Sequence, residues 1–238
     1  MSVRTFATET ELIEAYASYV IGLASESLKT QERFSLSLSG GSSPIKVFRI
    51  WKEKYERALD WSKIDFFFGD ERYVPFDDPQ NNAFMAYNEL FNPLGIHESQ
   101  IYRIDTSLVA ETAAASYQET LEQYFGAEPI IFDLIMLGLG DDAHTASLFP
   151  GTNVIDEIGI TVRAAYLPNN VTRITLSAAL INQANNVAFL TFGEKKAEAV
   201  KHIFESEFNP TKYPAQLIKP IHGKLEWFLD DAAVSLLS

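Results

Sequence analysis

The sequence predicts an α/β protein of three layers, in which helices cover both faces of a mostly parallel sheet. Two observations lead to this prediction. Helical and strand patterns alternate along the chain, and the strand segments 64–74 and 130–140 contain near-continuous apolar runs. Such runs are typical of strands that are buried on both faces of a sheet.

Boundary signals place the first two helices. Apolar residues at helical spacing predict a helix over 8–29, which Thr8 or Thr10 caps. Ser43 and Pro44 have the form of an N-cap and a first helical residue, and they open a second helix. The other helices are predicted at 81–91, 109–126 and 194–206, and the strands at 33–41, 64–74, 130–140, 160–168, 172–177 and 186–193, with a last strand or short helix at 224–238.

Length and composition restrict the classes of protein. The chain has 238 residues, 47% of them apolar, and shows no linker, so a single domain over 1–238 is expected. There is no cysteine, which excludes disulfides, a thiolate nucleophile and cysteine-based metal sites. The four histidines are scattered without ligand spacing. A metal site built from histidines and carboxylates is not excluded, but nothing in the sequence points to one.

The net charge of −13 argues against nucleic acid and against anionic membrane surfaces as partners. A phosphorylated ligand would be repelled by this charge, so its binding site must be locally basic. The first residues are partly acidic where a signal peptide needs an apolar run, and no apolar stretch is long enough to span a membrane. We expect a cytoplasmic protein, either a monomer or a small homo-oligomer.

Polar, glycine-bearing segments follow four predicted strands. They read SGGSSP, GDER, GLGDDAH and GEKKA. In a parallel sheet the carboxyl ends of the strands meet at one edge, where ligands bind. Tight turns explain the glycines, but they do not explain the charged residues beside them. These four segments are therefore the candidate site.

The segment SGGSSP has the form of an anion cradle between a strand and a helix. Gly40 and Gly41 let the backbone approach a ligand, and the following helix start directs free N–H groups at it. Ser39, Ser42 and Ser43 flank the glycines and add hydroxyl groups. The alternative interpretation is a tight turn with an ordinary Ser-Pro helix cap.

The segment GLGDDAHTASLFPG is the most informative one. It places Asp142 and His144 two residues apart in a turn that follows a buried strand and precedes a predicted short helix. Histidine has an unperturbed pKa of about 6.5 and can take up and return a proton near neutral pH. A neighbouring carboxylate can hold the imidazole in one tautomer. The alternative is a histidine that only packs or caps locally.

Two arginines, one lysine and one further aspartate complete the candidate residues. Asp70 and Arg72, two positions apart, can share one face of an extended segment at the sheet edge. Arg173 in RITLS suits bidentate phosphate binding, and Lys196 in GEKKA suits a point-charge contact. The alternative for each of these is a solvated surface charge.

Taken together, these segments resemble the 6-phosphogluconolactonase family, which belongs to a larger group with glucosamine-6-phosphate deaminase. The matching segments lie between about residues 36 and 220, and their ordered set is specific although no single one is decisive. In chain order they are SLSGGSSP, GDERYVP, NNAFMA, GLGDDAHTASLFPG, RITLS, TFGEKKAEAV and PAQLIKP.

The resemblance implies a Rossmann-like fold and hydrolysis of 6-phospho-D-glucono-1,5-lactone to 6-phospho-D-gluconate, a step of the oxidative pentose phosphate pathway that needs no metal or cofactor. It assigns the family's histidine to His144 and its aspartate to Asp142. The phosphate-binding turn falls on 39–43, and the remaining family positions fall on Arg173, Lys196, Asp70 and Arg72.

Two residues depart from the family pattern. Asp141 stands where a proline is commoner, so that either Asp141 or Asp142 can support His144, although Asp142 holds the motif's place. Ala143 stands where a glycine is commoner, and it therefore tests whether this position needs a positive φ, which alanine resists.

Two other functions share these features. Deaminases of the group carry a glutamate shortly after the histidine, whereas residues 147–150 here contain no carboxylate, which disfavours amino-sugar chemistry. A non-catalytic phosphosugar-binding sensor should have lost His144 or Asp142 and gained a segment that binds DNA or a partner. Neither change is seen.

Overall fold

The structure is a computed structural model, which describes residues 1–126 and 129–238. It contains two sheets and the helices that surround them. The strands are β1 (Ser2–Phe6), β2 (Phe34–Leu38), β3 (Ile64–Phe68), β4 (Asp70–Arg72), β5 (Leu134–Gly138), β6 (Val162–Leu167), β7 (Val171–Leu176), β8 (Asn186–Thr191) and β9 (Lys224–Asp230). The α-helices are α1 (Glu9–Ser27), α2 (Ser42–Tyr55), α3 (Asn82–Ala86), α4 (Asn92–Leu94), α5 (Ala110–Phe125), α6 (Ala178–Ile181) and α7 (Ala197–Glu205), and a π-helical turn (Tyr87–Phe91) joins α3 to α4.

The larger sheet has six parallel strands in the order β1-β9-β8-β5-β2-β3. Successive side chains of β9 point to opposite faces. Phe228 contacts Tyr16 of α1 with ring centroids 5.0 Å apart, whereas Trp227 contacts Phe204 of α7 at 5.3 Å. Helices therefore cover both faces, and the predicted fold class is confirmed.

The prediction of one strand over 64–74 was wrong. Gly69 divides this segment, because its N–H donates to Leu38 of the large sheet while its carbonyl accepts from Leu176 of β7. The chain thereby leaves the parallel sheet, and β4 becomes the edge of a second, antiparallel sheet in the order β4-β7-β6. The two strands predicted at 160–168 and 172–177 form the rest of this sheet.

Other elements begin or end differently from the sequence patterns. Thr8, not Thr10, caps α1, since its Oγ1 accepts from the backbone N–H of Glu11 at 3.2 Å. The second helix starts at Ser42 behind Gly41, whose φ of 93° only glycine adopts readily, so Ser43 is not its N-cap. Strand β1 was not predicted. It is a short, largely exposed edge strand and lacks alternation of apolar and polar residues.

The buried side chains of the two sheets belong to one hydrophobic cluster, which contains Ile174 and Leu176 of the small sheet beside the central strands of the large one. The two sheets therefore share one core, and the single domain over 1–238 stays a prediction. None of the helices in the two described stretches is both long and apolar enough to span a membrane.

Candidate active site

A cavity of about 380 Å³ opens at the carboxyl ends of the parallel strands. It is bordered by the segments that follow β2, β5 and β8, and by β4 and β7 of the small sheet. Ten of the predicted site residues line it: Ser39, Gly40, Gly41, Ser42, Ser43, Asp70, Arg72, His144, Arg173 and Lys196. The predicted segments therefore do converge on a single crevice.

A tight turn after β5 presents His144 to this cavity. The backbone N–H of Gly140 donates to the carbonyl of His144 at 2.8 Å, and that of Ala143 donates to the carbonyl of Gly140 at 3.0 Å. Ala143 has a φ of 62°, so this position does require the left-handed region that glycine adopts without strain. The backbone N–H of Ala215 also donates to the carbonyl of Ala143, at 3.0 Å, and ties the turn to the segment 214–217.

The imidazole of His144 is held on two sides. Its Nδ1 lies 2.5 Å from Oδ1 of Asp142, and its ring stacks on Phe149 with centroids 3.9 Å apart. The hydrogen bond to His144 lowers the pKa of Asp142, which is therefore ionised at neutral pH. In the tautomer whose Nδ1–H donates to this carboxylate, the neutral imidazole has its lone pair on Nε2. Asp142 itself does not line the cavity and contacts His144 from behind.

Asp141 has a different partner from Asp142. Its Oδ1 lies 2.6 Å from the Nζ of Lys196, in an ion pair whose aspartate side chain is 62% exposed. The structure thus separates the two neighbouring carboxylates, one bound to the imidazole and the other to the lysine. Lys196 ends a short 3₁₀ turn that follows Gly193, and it lines the cavity.

No helix follows the histidine directly, contrary to the prediction. Ala146 has a φ of 47°, which interrupts a right-handed helix, and an isolated bridge pairs Thr145 with Leu148. This irregular segment buries Ser147, whose hydroxyl donates to Oδ2 of Asp70 at 2.6 Å. This hydrogen bond therefore links the segment after His144 to β4.

Two arginines lie side by side on the small sheet. Arg72 of β4 and Arg173 of β7 are direct cross-strand partners. Arg72 donates to the carbonyl of Gln80 at 2.9 Å, and within the described residues neither guanidinium forms an ion pair with a carboxylate. Burial lowers the pKa of Arg173, and the neighbouring charge of Arg72 lowers it further. Two adjacent cations that form no ion pair with a carboxylate could together hold a multivalent anion.

The glycine turn lies against the amide of Asn82. A Cβ on Gly40 would come within 1.9 Å of Oδ1 of Asn82, which explains why glycine is required there. Neither Asn82 nor Ser147 was predicted as a site residue, although both line the cavity. Asn82 lies in NNAFMA and Ser147 in GLGDDAHTASLFPG, two segments of the family resemblance, but no pattern in either segment marked these side chains as functional.

The described residues, all but 127 and 128, contain no group of three or more His, Asp or Glu side chains placed to hold a metal ion. The cavity offers one imidazole, two guanidinium groups, one ammonium group and one carboxylate, besides the amide of Asn82 and several hydroxyl and N–H groups, among them those of the glycine turn. Together they can hold an anion at one side and move a proton at another.

Comparisons with known proteins identify the family of the chain. A family model for glucosamine-6-phosphate isomerases/6-phosphogluconolactonase matches residues 7–227. Curated proteins named 6-phosphogluconolactonase are similar along the whole chain: one from Nostoc sp. is 34% identical and covers 100% of this chain and 98% of its own length. One from Rattus norvegicus is 35% identical and covers 99% and 93%.

Solved structures show the same fold. The 6-phosphogluconolactonase of Trypanosoma brucei superposes with a TM-score of 0.89 at 29% identity, over 100% of this chain and 98% of that one. A monomeric glucosamine-6-phosphate deaminase superposes with a TM-score of 0.85 at 20% identity, and it shows the fold alone. From the match over residues 7–227 and the full-length relatives, the chain belongs to the glucosamine-6-phosphate isomerase/6-phosphogluconolactonase family.

Proposed function

We propose that the protein hydrolyses 6-phospho-D-glucono-1,5-lactone to 6-phospho-D-gluconate, with His144 as the general base, and thereby serves the oxidative pentose phosphate pathway. The chain is a lactone-hydrolysing enzyme of its family. One observation carries the proposed mechanism. A single cavity holds an imidazole oriented by Asp142 and a pair of arginines without acidic partners.

The cationic groups anchor the substrate. The phosphate of the lactone binds Arg173, Lys196 and the N–H and hydroxyl groups at the start of α2, where the helix dipole favours an anion. This anchoring leaves the lactone carbonyl close to a water molecule beside Nε2 of His144. Fixed positioning of the reacting groups lowers the barrier because the entropy of bringing them together is already lost on binding.

The reaction then needs one proton carrier. Nε2 of His144 accepts a proton from the water as its oxygen attacks the lactone carbon, and the carbonyl oxygen becomes a tetrahedral oxyanion. Collapse of this intermediate breaks the bond from the carbon to the ring oxygen, which receives the proton from the imidazolium. Asp142 stabilises the imidazolium while it exists. Arg72 or a backbone N–H stabilises the oxyanion.

The segment behind His144 supports a lactonase over a deaminase. Between Thr145 and Pro150 there is no carboxylate, and Phe149 occupies the space beside the imidazole. A non-catalytic sensor would have no use for the Asp142–His144 pair, which stabilises a charge that forms only during turnover. Both alternatives are outcomes of the same assay.

The assay measures opening of freshly generated 6-phosphogluconolactone at neutral pH, corrected for spontaneous hydrolysis. We expect hydrolysis of the phosphorylated lactone, much slower hydrolysis of glucono-1,5-lactone, and no ammonia from glucosamine 6-phosphate. Release of ammonia would identify a deaminase instead. Tight binding of 6-phosphogluconate without any rate enhancement would identify a sensor.

Replacement of Gly140 by alanine should displace the catalytic ring. A Cβ at this position would lie 2.0 Å from Nδ1 of His144, so the imidazole must move. We expect kcat to fall about 10- to 100-fold, the cost of misplacing a catalytic group by about 1 Å. Gly22→Ala is the matched control, because nothing lies within 4 Å of its added Cβ and α1 gains helix propensity. Equal kcat for the two variants would contradict this role of Gly140.

Removal of the charge of Asp141 should strengthen substrate binding. Lys196 must exchange its ion pair with Asp141 for the substrate phosphate. Since an exposed ion pair is weak, we expect Asp141→Asn to lower KM only about threefold at low salt, and less at high salt. Steady-state kinetics at two ionic strengths test this expectation. A higher KM for the variant would show that Asp141 helps to position Lys196 for the phosphate.

A further inference from the structure

Glu71 is a buried carboxylate at the wall of the cavity that no step of the hydrolysis uses. Its surface is 0% exposed. Its Oε1 accepts hydrogen bonds from the backbone N–H groups of Arg72 at 2.7 Å and Asn82 at 2.6 Å, and its Oε2 accepts one from Ala83 at 2.9 Å. This carboxylate therefore ties β4 to the start of α3, and both elements carry side chains that line the cavity.

Only the ionised form of Glu71 suits this position. A carboxylate presents acceptors on both oxygens, whereas a protonated carboxyl group turns one oxygen into a donor that faces N–H groups. Burial raises the pKa of Glu71 to about 7, the three backbone N–H groups oppose this shift, and the charge of Asp70 adds to it. The bonding pattern therefore depends on ionisation close to neutral pH.

Asn82 links Glu71 to the glycine turn, because its backbone N–H binds Glu71 and its side chain lies against Gly40. Its Nδ2 donates to the carbonyl of Asp70 at 2.9 Å, while its Oδ1 is buried without a hydrogen-bond partner and lies against Gly40. A buried amide oxygen without a hydrogen-bond partner destabilises the position that it occupies. The surrounding contacts, of which the backbone bond to Glu71 is one, hold this amide in its place.

We propose that Glu71 is a positioning residue for the phosphosugar site. Its ionised carboxylate fixes Arg72 directly and fixes the Gly40 turn through Asn82, so that the cation and the anion cradle stay at the spacing that the bound phosphosugar needs. This inference rests on the proposed function, since it assigns Glu71 a part in binding the same substrate.

Several charged groups face Glu71 besides the backbone donors. Asp70 and Arg72 flank it on β4, Arg173 lies nearby on β7 as the cross-strand partner of Arg72, and Tyr117 approaches from α5. The start of α3 contributes only backbone groups. Tyr117 is neutral near pH 7 because burial raises its pKa well above the ordinary value, and the arginines stay charged. Within this cluster, Glu71 is the group that titrates near neutrality.

The test compares the wild-type protein with Glu71→Gln, which keeps the size of the side chain but places an NH₂ donor against backbone N–H groups. Titration calorimetry measures the Kd of 6-phosphogluconate between pH 5.5 and 8.5. We expect the variant to bind about tenfold more weakly at pH 8.5, the equivalent of about one hydrogen bond to a charged group. The ratio of the two Kd values should approach one at pH 5.5, where wild-type Glu71 is protonated.

This ratio separates positioning from stability. Any effect of pH that both proteins share, such as titration of the ligand phosphate, cancels in the ratio. A purely structural role would lower Tm and leave the ratio independent of pH. Asp133→Asn is the matched control: its carboxylate accepts from the backbone N–H of Ser35 at 2.8 Å, at the amino ends of the strands. We expect this control to lose stability and to keep the wild-type Kd.

Kd values for Glu71→Gln within twofold of wild type at every pH would overturn the inference. If this variant does not fold, Asn82→Ala tests the same connection, because it keeps the backbone N–H and removes the amide beside Gly40. We expect about fivefold weaker binding, and unchanged binding would also overturn the inference. A wild-type protein that neither binds 6-phosphogluconate nor hydrolyses the lactone would refute the proposed function instead.

Discussion

Replacement of His144 by alanine is expected to lower kcat for the phosphorylated lactone by about 10²- to 10⁴-fold, the usual contribution of general acid–base catalysis. The variant loses the Nε2 lone pair that takes up the proton of the attacking water. Binding of 6-phosphogluconate should change less than about threefold, because we propose that Arg173 and Lys196 rather than the imidazole bind the phosphate. Stopped-flow kinetics and calorimetry measure the two quantities separately.

His222→Ala is the control for this variant, since that histidine is exposed and does not line the cavity. It should retain wild-type kcat and Kd. If His144→Ala instead kept near-full kcat, another group would have to activate the water. A variant that lost binding and turnover equally would place His144 among the ligand-binding groups rather than the proton-transfer groups.

Replacement of Arg173 by methionine is expected to raise KM for the phosphorylated lactone about 10- to 100-fold. The guanidinium is half-buried and has no carboxylate partner among the described residues, so it is available for charge-assisted hydrogen bonds to phosphate, each of which contributes about 1.5–3 kcal/mol. Arg173→Lys should recover only part of the loss, because an ammonium group cannot make the bidentate contact.

The unphosphorylated substrate provides the decisive comparison. Hydrolysis of glucono-1,5-lactone should be nearly unaffected in Arg173→Met, since that molecule has no phosphate to lose. Arg163→Met is the matched control on the same sheet, because Arg163 pairs with Glu157 and lies outside the cavity. Equal losses with both lactones would place Arg173 at the reacting carbonyl rather than at the phosphate.

The candidate site was predictable because of where its residues lie along the chain. Ser42, His144 and Lys196 each follow a parallel strand within a few residues, and the carboxyl ends of such strands meet at one edge. The prediction of one strand over 64–74 was wrong, but it still placed Asp70 and Arg72 at this edge of the sheet. The chain passes from the large sheet to the small one at Gly69, and the residues that follow still line the cavity.

The residues that were not predicted act through contacts between distant parts of the chain. Ser147 binds Asp70 across 77 positions, and Asn82 binds the carbonyl of Asp70 across 12. Neither contact leaves a periodic or local pattern in the sequence. The choice between Asp141 and Asp142 likewise depended on the direction of two neighbouring side chains in a turn, which spacing alone does not determine.

A crystal structure of the protein with 6-phosphogluconate tests the central claim most directly. We expect the phosphate within hydrogen-bonding distance, about 3 Å, of Arg173, Lys196 and the start of α2, and the carboxylate derived from the lactone carbonyl beside Nε2 of His144. A ligand bound in the reverse orientation, with its phosphate on the imidazole, or bound outside this cavity, would contradict the account.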